Sequence, residues 1–291
     1  MPSTTLAQPE IDTTTFDVVC VGEAMWRLAR GTGAASNLRL RPSRGAVNVA
    51  LRLRERGLRV GLATVLVDDA HGRRAYEGIA AQGVDVAGVA LAAVRPGLVL
   101  IDARGDANPL PSEAEQRPPP EVPASWSSRV LLLSGLSPVV SHVAALCRAA
   151  RRARRRGSLV VIDFNAALHV WVGRDARTIR MLLREVDVAR FSVADLAVLG
   201  LELEGVRNAL RSSATVVVGD PSDRLIARGP FGEVVLTPQR SEARHAFPMA
   251  GAGDALTTAI CRELAAPVER GESPSSLWHR ALQRGAALNT P

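Results

Sequence analysis

Ala250-Gly251-Ala252-Gly253-Asp254-Ala255 stands immediately ahead of an apolar stretch that runs through Ala259 and Leu264. Small residues let backbone N–H groups approach an anion closely, and the helix expected over residues 253–265 begins with unpaired N–H groups at the positive end of its dipole. The stretch reads as a site for phosphate or another oxyanion. An aspartate in a first helical turn is also an ordinary cap. On this stretch alone Asp254 supports both readings.

Outward from it, short apolar runs at 17–20, 60–65, 130–133, 159–162, 188–191, 215–218, 225–227 and 233–236 alternate with helix-period stretches at 47–56, 72–82, 141–155, 176–185 and 193–200. Continuous apolar strands separated by helices belong to a mostly parallel sheet covered on both faces. The expected fold is therefore α/β, a three-layer α/β/α sandwich. Gly57 closes the first helix as a residue just past its end. Residues 37–41 and 98–103, the latter followed by the polar, Pro-rich 108–123, alternate like strands with no helix beside them. They predict a small sheet projecting from the body, with lid segments near 37–41 and 98–112.

Composition bounds the alternatives. A chain of 291 residues with 47% hydrophobic and 22% charged residues is globular and fits one large α/β domain over 17–291. No apolar run approaches the roughly 20 residues of a membrane helix, so no membrane partner is expected. Residues 1–16 are Thr-rich and polar, without a basic start or apolar segment, and read as a disordered tail rather than a secretory signal. Cys20, Cys147 and Cys261 lack zinc or disulfide spacing, and a cytoplasmic setting is expected. His71, His142, His169, His245 and His279 show no paired metal spacing and read as structural.

The net charge of +7 and the cluster from Arg148 to Arg156 invite a nucleic-acid reading. All 36 basic residues are Arg, however, which is a chain-wide bias rather than a local patch. The cluster also precedes a strand, where the last turn of a helix would favour cations. No nucleic-acid partner is expected.

With these segments in order, the chain resembles the PfkB carbohydrate kinases along nearly its whole length. Gly251-Ala252-Gly253-Asp254-Ala255 resembles their second signature, usually D-T-x-G-A-G-D; Gly22-Glu23-Ala24-Met25 resembles the opening of 2-keto-3-deoxygluconate kinases and fructokinase-like relatives. Gly45-Ala46-Val47-Asn48-Val49-Ala50 is similar to the first signature, and Val67-Asp68-Asp69 with Gly72 to G-D-D-x-x-G. Asp163-Phe164-Asn165 before Trp171 resembles D-x-N-x-R-x-x-L-W, and Ser192-Val193-Ala194-Asp195 stands where the family has N-x-x-E or S-x-x-D/E.

The resemblance implies a ribokinase-like fold whose two irregular segments form a β lid, through which homodimers can form. It implies transfer of the ATP γ-phosphate to a hydroxyl of a sugar or sugar acid, with Mg2+. Gly251, Ala252 and Gly253 would form the anion hole and Asp254 would be the general base. Gly45, Asn48 and Arg44 would meet the substrate, Asn165, Ser192 and Gly219 the nucleotide, and Asp195 the metal through water.

Several positions depart from the pattern. Pro248-Met249-Ala250 replaces Asp-Thr-x, Val67 and Arg44 replace family glycines, and Ala167 stands where the Asn165 motif has Arg. Residues 106–108 lack the aromatic and Arg residues usual in keto-sugar-acid kinases, and 219–223 lack the second glycine of a G-x-x-G turn. Arg44 reads either as a partner for an anionic acceptor or as solvent-facing decoration of the lid. These departures set a second reading beside the kinase one, a relative that binds nucleotide or sugar without transferring phosphate.

Overall fold

The computed structural model describes residues 14–30, 38–93, 97–101, 107–109, 118–166, 171, 175–219, 224–237, 252–267 and 271–287. The chain enters along β1 (Thr14–Gly22), crosses at Glu23 into β2 (Ala24–Arg30), and returns along β3 (Leu38–Gly45) straight into α1 (Ala46–Glu55). There follow β4 (Val60–Val67), α2 (Ala70–Ala81), β5 (Asp85–Ala92), β6 (Gly97–Ile101) and β7 (Ala107–Pro109). Next come β8 (Trp126–Ser134), α3 (Leu136–Arg155), β9 (Leu159–Asp163), α4 (Arg177–Leu183), β10 (Val188–Ser192), α5 (Val193–Leu199) and α6 (Leu203–Ala209). The chain then forms β11 (Thr215–Gly219), β12 (Leu225–Gly229), β13 (Gly232–Leu236), α7 (Ala252–Ala265) and α8 (Pro274–Ala287).

Nine strands form one sheet in the order β13-β12-β11-β10-β9-β8-β1-β4-β5. Its pairs are parallel from β5 to β11 and antiparallel where β12 and β13 extend the edge. The alternation of β1 shows why helices cover both faces. Val19 and Val21 join a core with Leu146 and Ala150 of α3 and Leu182 and Leu183 of α4. Val18 and Cys20 point the other way, to Leu53 of α1, Ile260 of α7 and Trp278 of α8. Each fully buried Val or Leu contributes about 1.5–3 kcal/mol, so a strand with two apolar faces is stable only between two helical layers.

A second sheet, four-stranded and in the order β3-β2-β6-β7, stands where the lid was expected. The two irregular segments do pair there, but with β2 as an unexpected centre strand and with β3 running on to Gly45. Residues 37, 102–106 and 110–112 of the expected lid lie outside the described residues. At the other end of the segment read as tail, β1 already begins at Thr14, because Thr14 pairs with Trp126 and Phe16 packs edge-on against that ring at 4.8 Å.

α8 and α6 were not expected from the sequence. In α8 the apolar positions Trp278, Ala281, Leu282 and Gly285 do keep helical spacing, but Ser, His and Arg between them hide it. A charge clamp holds α8 to α7: Glu263, 3% exposed, accepts a hydrogen bond from Arg280 Nε at 3.0 Å and another from Arg284. In the basic cluster, Arg151 pairs with Glu185, while Arg152 and Arg156 donate to the carbonyls of Val122, Ala124 and Trp126. Among the described residues no helix is long and apolar enough to cross a membrane.

Candidate active site

Strand register assembles the site. Gly22 pairs with Ser134, Ser134 with Asp163, Asp163 with Arg190, and Ser192 with Gly219, so these residues line the C-terminal ends of β1, β8, β9, β10 and β11. In an open parallel sheet, that edge is where helix N-termini gather and ligands bind.

α7 starts above this edge and carries Asp254 in its first turn, 1% exposed. Asn48 Nδ2 donates to Asp254 Oδ2 at 2.5 Å, and the Gly45 backbone also favours the ionised carboxylate. Oδ1 is buried and has no partner among the described residues. Burial pushes the Asp254 carboxyl up to about 6; the Asn48 bond opposes this, the negative charge of Asp163 adds to it, and the charge of Arg52 and the Gly45 amide oppose it. Gly45 makes the approach possible: its φ is +81°, and a Cβ there would stand 2.9 Å from the Glu23 carbonyl oxygen. Only glycine lets the lid strand turn into α1 with Asn48 on the side of Asp254.

Beneath the turn lies a buried charge cluster. Arg190 Nη1 donates to Asp163 Oδ1 at 3.1 Å and stands 3.7 Å from Asp195 Oδ2. Burial disfavours the charged guanidinium, but the carboxylates of Asp163 and Asp195 more than offset this and hold its pKa above the usual value. The second Asp163 oxygen accepts from Thr257 Oγ1, and Thr258 Oγ1 closes the turn on the Asp254 carbonyl at 2.6 Å. A Cβ on Gly253 would meet Arg190 Nη1 at 3.0 Å.

Toward the expected nucleotide side, Ser192 caps α5 in a capping box with Asp195. Asp195 Oδ2 accepts from the Ser192 N–H at 2.6 Å and Oγ at 2.7 Å, and Oδ1 accepts from the Ala166 N–H at 2.7 Å. Asn165 has φ +45°, the one non-glycine residue with positive φ among those described, and its Nδ2 lies 3.4 Å from Ser134 Oγ. Asp195 has both oxygens engaged, and among the described residues no His, Cys, Asp and Glu cluster is arranged to hold a metal ion. These donors do not fit a protein-caged magnesium ion.

Of the residues singled out from the sequence, Gly45, Asn48, Ala252, Gly253 and Asp254 converge at one corner, with Asn165, Ser192, Asp195 and Gly219 on the adjoining strand ends. Arg44 is placed as the β3 residue paired with Met25; its side chain, Gly251, Ala167 and 220–223 lie outside the described residues. Arg190, Thr257 and Arg52 were not anticipated. The available signal for Arg190 was a charged residue inside the apolar run Val188-Ala189-Arg190-Phe191, since a buried guanidinium needs acid partners.

The sequence matches the family model described as pfkB family carbohydrate kinase over residues 15–288. No curated protein matches it. Among solved structures, it is similar to aminoimidazole riboside kinase from Salmonella enterica complexed with aminoimidazole riboside and ATP analog: TM-score 0.75, 19% identity, 94% of this chain and 91% of that one. It is likewise similar to fructokinase from Vibrio cholerae O395 in fructose-, ADP- and calcium-bound form, with TM-score 0.75, 18% identity and coverage of 97% and 94%. For fructokinase with bound ATP from Xylella fastidiosa the TM-score is 0.72, at 17% identity and coverage of 95% and 92%. At these identities the structural likeness establishes the fold.

Proposed function

The chain belongs to the pfkB family of carbohydrate kinases, and from that premise we propose that it transfers the γ-phosphate of ATP to a hydroxyl of a sugar or sugar acid. One observation carries the reading: a buried carboxylate, Asp254, in the first turn of a 14-residue helix, with one oxygen held by Asn48 and the other without a partner among the described residues. A carboxyl held near 6 is mostly ionised at neutral pH yet basic enough to accept a proton. Asp254 Oδ1 takes the hydroxyl proton as the acceptor oxygen attacks, while Asn48 keeps Oδ2 in place. Unpaired N–H groups at the start of α7 stabilise the phosphoryl oxygens, for phosphoryl transfer needs positioning and charge stabilisation more than covalent chemistry. Magnesium carried in with ATP would supply charge compensation for its phosphates.

The test is ADP release with ATP, magnesium and a panel of sugars, sugar acids and nucleosides, run beside Asp254→Asn. Turnover with one acceptor, abolished in the variant while ATP affinity holds, supports the reading; equal turnover in the variant sinks the base assignment. The engagement of Asp195 by Ser192 and Ala166 favours a second reading, a protein that binds nucleotide or sugar without phosphotransfer. Nucleotide binding with no ADP release under any acceptor selects it.

A further inference from the structure

We propose that Arg190 is the fixed cation of the phosphate corner, binding the transferred phosphoryl group jointly with the first turn of α7. This deepens the kinase reading and rests on it for the identity of the anion. A guanidinium withdrawn from water is costly unless paired. Asp163 and Asp195 account for its charge. They do not account for all of its donors. Arg190 is 8% exposed, and its Nε is buried without a partner among the described residues. Nη1 and Nη2 lie 3.0 and 3.1 Å from where a Cβ of Gly253 would stand. The fork thus packs on the turn whose free N–H groups open α7, and a planar fork of donors matches phosphate oxygens.

Charge balance leads to the same residue. Asp163, Asp195 and Asp254 are buried at this corner, and Arg190 is the buried cation among them. Without it an incoming phosphate would meet three carboxylates with, among the described residues, no other buried cation to offset them. Arg190 is therefore what allows the start of α7 to act as an anion site, and it does so without a metal.

Inorganic phosphate is the first probe, titrated calorimetrically in excess EDTA against the native chain, Arg190→Lys, and the double variant Arg190→Met with Asp163→Asn. The double variant removes one cation and one carboxylate together, which keeps the balance of buried charge and leaves Asp195 to its hydrogen bonds from Ser192 and Ala166; thermal melting checks that it folds. The native chain is expected to bind phosphate without metal, the double variant about tenfold or more weakly, and the lysine variant between them. Equal binding by native and double variant, or no metal-free binding by the native chain, overturns the proposal. ADP and a non-hydrolysable ATP analogue follow. If phosphate binds through Arg190 but neither nucleotide binds, the kinase reading fails and the anion site stands; if nucleotides bind while phosphate is indifferent to Arg190, the reverse holds.

Discussion

Asn48 and Asp254, 206 residues apart in the chain, meet through a 2.5 Å hydrogen bond between the first helix and the seventh. The bond favours the ionised carboxylate, so its loss pushes the Asp254 pKa above about 6. Asn48→Ala is expected to move the carboxyl titration of Asp254, followed by carbon NMR of labelled protein, to higher pH. An unmoved titration would mean that the amide does not control this carboxylate.

Asp254 also carries a stability consequence. Its pKa rises from 3.8 to about 6 on folding, so the folded state prefers the protonated form. That preference is fully satisfied below about pH 3.8 and is lost as pH rises through about 6. Above this window the buried carboxylate costs about 3 kcal/mol, at ~1.36 kcal/mol per pKa unit. Asp254→Asn should therefore melt higher than the native chain at about pH 8, and the gap should close at about pH 4.

As the proposed base, Asp254 should also set the pH dependence of turnover. For whichever acceptor proves active, kcat/KM should be flat above about pH 7 and fall toward tenfold per unit below about 6 as Asp254 protonates. A profile flat down to about pH 5 would exclude Asp254 as the base.

Gly253→Ala sets two effects against each other. Alanine gains about 1 kcal/mol of helix propensity, but its Cβ meets Arg190 Nη1 and Nη2 at 3.0 and 3.1 Å, and Asp163 and Asp195 pin that guanidinium. The melting temperature should change little while metal-free phosphate binding weakens severalfold. A variant that binds phosphate like the native chain would show that the guanidinium yields.

The clamp of α7 on α8 gives an asymmetric pair of variants. Glu263→Gln leaves two arginines that are about two-fifths exposed and can turn to water, whereas Arg280→Met with Arg284→Met leaves a buried carboxylate alone. The double variant should melt lower than Glu263→Gln.

The body of the fold was legible because its strands are unbroken apolar runs; Val130 to Leu133 and Val216 to Val218 admit no other reading once helices flank them. β2 escaped because Trp26-Arg27-Leu28-Ala29-Arg30 follows β1 with only Glu23 between, so one strand masks the next. The Gly-Ala-Gly-Asp turn gave the corner at Asp254. Sequence could not give its depth: Asp163, Arg190 and Thr257 come from three separate elements, and strand register with the landing of α7 brings them into contact.

The passage between the two sheets has a mechanical consequence. The chain leaves the main sheet at Glu23 and returns from the second sheet at Gly45, where α1 begins, and Ala24 pairs with Gly45 side by side. This pair is a hinge pin set at one edge of the lid, one helical turn from Asn48. From β3 to β7 the lid spans three strand spacings, roughly 14 Å at about 4.8 Å each. A rotation of about 10° at the pin would sweep β7 through roughly 2.5 Å of that lever arm while hardly displacing Asn48. Such a movement of the outer strands would leave the grip of Asn48 on Asp254 intact.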